Sequence, residues 1–143
     1  MEKLKSKYPI IVVKQFQFES AHHLPNYDGP CKNLHGHTYK VEIGFQNYVD
    51  PETGMVMDFK TIKKIVSDLV IDKLDHQYLN ELNIDGNGYR FPEKLPTAEN
   101  MVAWIVDILE DYINQKAGGT ILALVRLWET STSYAEWRRT CCL

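Results

Sequence analysis

Three histidines in the first quarter of the chain have the spacing of a metal site. His35 and His37 flank Gly36, and His22 ends an earlier strand-like segment. Side chains two residues apart on a strand point to the same side, so His35 and His37 can both ligate one ion. Three neutral imidazoles with a fourth position open to water or substrate are typical of catalytic zinc. The spacing therefore predicts a zinc site that polarises an oxygen of a bound substrate.

The neighbouring histidines at positions 22 and 23 compete for the first ligand position. His22 shares a strand face with Phe16 and Phe18 by the two-residue period of a strand, whereas His23 points to the opposite face. The sequence therefore predicts His22 as the ligand.

Cys31 lies four residues before His35. Its thiolate is favoured near a divalent cation, which allows proton abstraction or nucleophilic attack at neutral pH. The residues alone leave three interpretations open: a fourth metal ligand, a catalytic group, or an inert small side chain.

Carboxylates supply the other candidates for chemistry. Asp75 precedes His76 and could hold its imidazole in one tautomer for proton transfer, although a capping or surface role is the alternative. Glu129 follows an apolar run, where a carboxylate is either paired or reserved for a ligand, and it suits the two N–H donors of a guanidine-like edge. Glu99 falls in the first turn of a predicted helix, where dipole compensation or capping is the alternative to substrate binding.

The elements that must position these residues have the order strand, strand, helix, helix, strand, strand. Asp58 is the predicted N-cap of the first helix and Thr97 that of the second, which Gly118 and Gly119 end. The predicted strands cover residues 10–21, 37–46, 121–129 and 134–139, and the first helix runs to about residue 73. This order predicts an α+β fold, a four-stranded antiparallel sheet with two helices on one face. The exposed edges of so small a sheet favour oligomerisation.

Composition narrows the class of protein. A chain of 143 residues with 44% hydrophobic content and a net charge of −3 fits one domain over residues 1–143. The sequence shows no apolar stretch that predicts a membrane span and no leader-like segment that predicts export. We therefore expect a cytoplasmic protein. Without a basic stripe, nucleic acid is not an expected partner. Three cysteines, two of them the adjacent pair Cys141 and Cys142, make no disulfide framework, and we expect that pair to be disordered.

Several short motifs together resemble one known family. They are Phe18-Glu-Ser-Ala-His22, Cys31-x-x-x-His-Gly-His37, Gly54-Met-Val-Met-Asp-Phe59, Leu74-Asp-His76, Pro96-Thr-Ala-Glu-Asn100 and Trp128-Glu-Thr130. This combination, which spans nearly the whole chain, resembles the 6-pyruvoyltetrahydropterin synthase and 6-carboxytetrahydropterin synthase family of the tunnelling fold. The three residues between Cys31 and the His-Gly-His sequence resemble the bacterial, queuosine-pathway branch, because the biopterin-pathway branch typically has a longer spacing.

The resemblance implies a reaction and a role for each motif. The reaction converts 7,8-dihydroneopterin triphosphate to 6-carboxy-5,6,7,8-tetrahydropterin and releases acetaldehyde and triphosphate. The implied roles are zinc binding by His22, His35 and His37, general base catalysis by Cys31, proton transfer by His76 oriented by Asp75, and pterin binding by Glu129 with Thr97 and Glu99. The resemblance also implies that subunits close their sheets into a barrel, as a hexamer or tetramer with sites at subunit interfaces.

Two alternatives stay open at this point. An enzyme of the same fold could form 6-pyruvoyltetrahydropterin, or could only cleave the side chain of dihydroneopterin or its triphosphate. A zinc- or pterin-binding module without catalysis is the alternative from another class, although Cys31, Asp75, His76 and Glu129 occurring together disfavour it.

Overall fold

A computed structural model describes residues 4–82, 95–116 and 118–140 of the chain. The irregular stretch 83–92, predicted to separate the two helices, and the pair Cys141 and Cys142 lie outside the described residues. No helix in the described ranges is long and apolar enough to cross a membrane.

The described residues form one sheet with helices on one face. In chain order its strands are β1 (Pro9–His22), β2 (His35–Tyr48), β3 (Gln77–Tyr78), β4 (Ile121–Thr130) and β5 (Ser133–Arg138). The spatial order is β3-β1-β2-β4-β5, with antiparallel pairing everywhere except between β1 and β3. The four predicted strands are all present, but the fifth, β3, makes the sheet mixed rather than purely antiparallel. Two residues are too short to show the alternation by which a strand is recognised.

The hairpin of β1 and β2 determines where the histidines lie. His22 pairs with His35, and Ser20 pairs with His37, at the end of the sheet where β1 stops and β2 begins. His37 belongs to the face of β2 that includes Tyr39 and Val41, both fully buried beneath the helices. The histidines therefore face the helical layer, at its edge.

The helices begin at the predicted caps. The Asp58 side chain accepts the Lys60 N–H at the start of α1 (Phe59–Val66), and a π-helical turn, Ser67–Ile71, continues α1 into α2 (Asp72–Leu74). The Thr97 side chain caps α3 (Ala98–Asn114) in the same way. This helix ends before the predicted glycines, which instead carry positive φ angles in the turn that leads to β4.

The core lies between the helical layer and the inner face of the sheet. Trp104 of α3, Phe18 of β1 and Tyr39 of β2 are among its largest buried side chains, and the Phe18 and Tyr39 rings stack with centroids 4.9 Å apart. The opposite, outer face of the sheet is mixed: Arg126 is bonded there to both Glu42 and Glu136, and the exposed side chains of Ile11 and Val13 lie on the same face. The stacked aromatic pair lies next to the histidine end of the hairpin and supports it from below.

Candidate metal centre and active site

The three predicted metal ligands converge on one point. The Nε2 atom of His22 lies 3.0 Å from that of His35 and 3.1 Å from that of His37. Zinc–nitrogen bonds in a tetrahedral site place two ligand nitrogens about 3.3 Å apart. Among the described residues, these three histidines form the group whose ligand atoms could hold a metal ion. The donor set and its spacing therefore fit zinc.

Backbone carbonyl groups fix the tautomers of two of these histidines. The Nδ1 atom of His22 lies 2.8 Å from the carbonyl oxygen of Pro96, and that of His35 lies 2.7 Å from the carbonyl oxygen of Asn33. Because a carbonyl only accepts hydrogen bonds, each Nδ1 carries the hydrogen and each Nε2 keeps a free lone pair. The two imidazoles are oriented to ligate through Nε2.

Burial favours the uncharged form of two of these histidines, His22 and His37. His22 is 1% exposed. Desolvation lowers the pKa of both His22 and His37 below the ordinary value for histidine, and the charge of Glu129 opposes this shift only in part. The Tyr39 hydroxyl lies 3.4 Å from Nδ1 of His22, and burial raises its pKa well above the usual range. Neutral imidazole is the form that binds a metal ion.

Glu129, predicted to bind substrate, lies against the histidine cluster. Its Oε1 atom is 3.4 Å from Nε2 of His22 and 3.7 Å from Nε2 of His37. The side chain is 30% exposed, so it can be reached from solvent. The structure thus places this carboxylate beside the predicted metal position.

Cys31 lies in a short 3-10 turn, Pro30–Lys32, that leads into β2. It is a partly buried free thiol, and its carbonyl oxygen accepts the Leu24 N–H at 2.8 Å. The metal-binding group found in the described part of the chain does not include it. Of the three interpretations left open by the sequence, a fourth ligand is thus the one that the geometry does not favour.

Asp75 and His76 form a hydrogen-bonded pair attached to β1. Nδ1 of His76 lies 3.0 Å from Oδ1 of Asp75, and the Glu19 backbone N–H donates to the same oxygen at 2.9 Å. The bond from Glu19 is the largest cause of the lowered pKa of Asp75. The His76 N–H donates to the Glu19 carbonyl at 2.5 Å, and His76 has a φ of +58°, rare for a residue other than glycine. Two hydrogen bonds of the Glu19 backbone, one from the His76 N–H and one to the Asp75 carboxylate, thus stabilise an unusual backbone conformation at a candidate catalytic residue.

His76 and His37 line the same groove. This groove, about 490 Å³ in volume, lies along the edge formed by β3 and the ends of β1 and β2, and Gly36 and Thr38 are part of its wall. The His76 side chain is 77% exposed. The Asp75–His76 pair therefore faces solvent rather than the buried side of the histidine cluster.

The two predicted substrate-binding residues at the start of α3, its N-cap Thr97 and Glu99 of its first turn, occupy different places. Thr97 is adjacent to the Pro96 carbonyl that orients His22, and its hydroxyl accepts the Asn100 N–H at 3.2 Å. Glu99 lines a separate cavity of about 350 Å³ between α3 and β5, together with Asp107 and other residues. Within this chain the structure brings Thr97, but not Glu99, close to the histidines.

Sequence reasoning did not identify the groups that orient these side chains. Pro96 and Asn33 act through carbonyl oxygens, and Glu19 acts through its backbone N–H and carbonyl. Backbone groups carry no signal in residue type. Only the position of Pro96, directly before the N-cap of α3, could have pointed to it.

Comparison with known proteins agrees with this geometry. A sequence model described as "PTPS: 6-pyruvoyl tetrahydropterin synthase" matches residues 11–140. The chain is 38% identical over 132 residues to the 6-carboxy-5,6,7,8-tetrahydropterin synthase of Synechocystis, covering 89% of this chain and 92% of that protein. It is 34% identical to the protein of the same name from Haemophilus influenzae, with 89% and 97% covered, and 31% identical to human 6-pyruvoyl tetrahydrobiopterin synthase, with 77% and 71% covered.

Solved structures show the same fold. The 6-pyruvoyl tetrahydropterin synthase of Caenorhabditis elegans superimposes with a TM-score of 0.78 at 25% identity, covering 98% of this chain and all of that one (100%). The synthase of Plasmodium falciparum superimposes with a TM-score of 0.65 at 23% identity, covering 92% and 98%, which shows the fold alone. The predicted α+β tunnelling fold is confirmed, with β3 added to its sheet. The family match, the sequence identities and the histidine cluster lead to one conclusion: this chain is an enzyme of the 6-pyruvoyl tetrahydropterin synthase family.

Proposed function

We propose that the protein is a zinc-dependent 6-carboxy-5,6,7,8-tetrahydropterin synthase. The reaction takes 7,8-dihydroneopterin triphosphate and one water, and yields 6-carboxy-5,6,7,8-tetrahydropterin, acetaldehyde and triphosphate. The observation that carries the proposal is the convergence of three histidine Nε2 atoms in a member of this family. The names of the bacterial relatives and the three-residue spacing between Cys31 and His35 favour the carboxy product.

His22, His35 and His37 would hold the zinc. Bound there, zinc would supply Lewis acidity, stabilising the negative charge that develops on the oxygens of the substrate side chain. The carbonyl groups of Pro96 and Asn33 keep two of these imidazoles in the ligating tautomer without any further rearrangement.

The other residues would bind the pterin and move protons. The Cys31 thiolate would remove a proton from a carbon of the substrate side chain. His76, with Nδ1 bonded to Asp75, would exchange a proton through Nε2. Glu129 would accept the N–H groups of the pterin ring, with Thr97 and Glu99 assisting.

The cellular setting follows from the proposed product. We place the reaction in queuosine biosynthesis, in the cytoplasm, and the active form is a homo-oligomer, a hexamer or tetramer, with sites at subunit interfaces. Within the part of the chain that the structure describes, β3 and β5 are the edge strands of the sheet, and edge strands that pair with another chain support such an assembly.

The test is product analysis with zinc-loaded protein and 7,8-dihydroneopterin triphosphate. Mass spectrometry is expected to find a carboxylated tetrahydropterin together with acetaldehyde. A pyruvoyl product without acetaldehyde would move the protein to the second candidate, 6-pyruvoyl tetrahydropterin synthase, which the similarity to the human enzyme supports. Tight pterin binding without turnover would indicate a binding module.

A further inference from the structure

One side-chain amide binds both backbone groups of the residue that follows the metal ligand His22. The His23 N–H donates to Oδ1 of Asn80 at 2.9 Å, and Nδ2 of Asn80 donates to the His23 carbonyl at 2.9 Å. An asparagine side chain can make both bonds because it offers an acceptor and a donor side by side. Asn80 therefore satisfies the main chain of His23 as a neighbouring strand would.

These two bonds continue the register of β3 along β1. The parallel pairing matches Ser20 with Gln77, an offset of 57 residues, and the bonds between His23 and Asn80 have the same offset. β3 has only two residues, after which the chain turns into a 3-10 helix, Leu79–Glu81. The Asn80 side chain thus extends the attachment to β1 beyond the point where the backbone leaves it.

The tyrosine of β3 adds a contact to the same histidine. The Tyr78 hydroxyl lies 2.6 Å from Nδ1 of His23, and the two rings stack with an interplanar angle of 21° and centroids 5.8 Å apart. Tyr78 also lines the groove that His76 lines. Both the backbone and the side chain of His23 are therefore bound to the segment that follows His76.

The same edge of β1 holds the other end of this segment. The Glu19 N–H donates to the Asp75 carboxylate, and the Glu19 carbonyl accepts the His76 N–H. The φ of +58° at His76 is costly for a residue with a side chain, and such a conformation persists only where surrounding contacts hold it. Residues 75–80 thus have one side-chain anchor before His76, Asp75, and one after it, Asn80.

We propose that Asn80 is a positioning residue for His76. Its amide fixes the end of segment 75–80 to the metal-binding strand, and so fixes the place of the His76 imidazole. His22 is held independently, by its pairing with His35 and by the Pro96 carbonyl, so loss of the amide should move His76 and leave the metal ligands in place. The attachment rests on these contacts alone, whereas its effect on turnover rests on the proposed function.

Amide hydrogen exchange of the metal-free protein, followed residue by residue by NMR, tests the attachment. Asn80→Ala should raise the exchange rates of the His23 and His76 amides at least about tenfold relative to wild type, because local opening of the segment becomes easier. The matched control is Asn47→Ala. Asn47 also donates two hydrogen bonds, to Gly118 and Thr120, but at the opposite end of β2, and its loss should leave both amides unchanged.

Kinetics with 7,8-dihydroneopterin triphosphate test the consequence for the reaction. Asn80→Ala should lower kcat about tenfold to a hundredfold, with KM and zinc content within about twofold of wild type. In a His76→Ala background the same substitution should change kcat by less than about twofold, because the group through which Asn80 acts is already absent. Asn47→Ala should lower kcat by less than about twofold in either background.

Three results would overturn the proposal. Unchanged exchange of the His76 amide in Asn80→Ala, with folding verified by circular dichroism, would refute the attachment. An equal loss of kcat with and without His76 would show a general structural effect, and loss of zinc would show that the amide acts on His22 instead. A wild-type protein that does not turn over the substrate would refute the proposed function, and the exchange rates would still decide the attachment.

Discussion

The Cys31 thiol illustrates how site geometry separates two chemical roles. It lies in the turn that leads into β2, outside the metal-binding group of the described residues. Substitution of a metal ligand would release the metal ion. Substitution of a general base would lower the reaction rate and leave the metal ion bound. General acid–base groups typically contribute about 10²–10⁴ in rate.

Replacing Cys31 by serine should therefore lower kcat by at least about a hundredfold and leave zinc content unchanged. Metal analysis and steady-state kinetics on the same preparation check both parts. The matched control, Cys142→Ser, removes a thiol elsewhere in the chain and should alter neither. Loss of zinc from Cys31→Ser would instead identify the thiol as a ligand.

Asp75 gives a prediction about pH. The Glu19 N–H lowers its pKa in the folded protein, so the native state favours the ionised carboxylate. The stabilisation is present above the unfolded pKa of Asp75 and is lost as the pH falls through the lower, folded value, where both states bind the proton.

The difference in Tm between wild type and Asp75→Ala should thus be larger near about pH 6 than near about pH 3. Thermal unfolding of metal-free protein measures it without interference from metal loss. Asp72→Ala, a nearby acidic residue at the start of α2, provides the control. A difference in Tm that grows toward acid pH would contradict the assigned shift.

At the scale of elements, β1 links the metal centre to the Asp75–His76 pair. Its last residue is His22, and two residues earlier the buried hydroxyl of Ser20 donates to the Leu74 carbonyl, just before Asp75. Ser20 and Ala21 also pair with β3, just after His76. The loop that contains the pair is therefore attached to the metal-binding strand on both sides.

Ser20→Ala should destabilise the protein by about 1–3 kcal/mol, because the buried Leu74 carbonyl loses its donor. Turnover should fall while zinc content is retained, since the change loosens Asp75 and His76 and not the imidazoles. Denaturant unfolding, metal analysis and kinetics give the three readouts. Thr140→Ala is the control: it removes an exposed hydroxyl just after the end of β5 and should cost less than about 0.5 kcal/mol. Equal effects of the two substitutions would refute the link.

The elements also show which features a sequence can predict. The two-residue alternation placed His22, rather than His23, on the inner face, because a long strand repeats its pattern many times. The strand β3 could not be found, since two residues have no period, and it forms only because Ser20 and Ala21 offer an edge. The sequence predicted Glu129 as a site residue, but not the irregular pairing around it, where Trp128 pairs with Tyr134 and Thr130 with Ser133, because that depends on how β4 and β5 pair.

At the scale of the whole molecule, the sheet formed by the described residues ends in β3 on one side and β5 on the other. β3 has two residues and β5 has six, and such edges are usually covered by another chain. Within one chain His76 points to an open groove, and Glu99 lines a cavity away from the histidines. A site that combines residues of neighbouring subunits would use both positions.

Complementation between inactive variants tests this arrangement. Cys31→Ala and His76→Ala subunits, given different tags and co-expressed, should form mixed oligomers in which some interfaces carry both intact residues. If each site takes Cys31 from one chain and His76 from its neighbour, random mixing restores roughly a quarter of wild-type activity. The control replaces the second variant with the double variant Cys31→Ala/His76→Ala, which offers no intact Cys31 to any site and should restore nothing. If the purified oligomers carry both tags but are no more active than either single variant, Cys31 and His76 act within one chain.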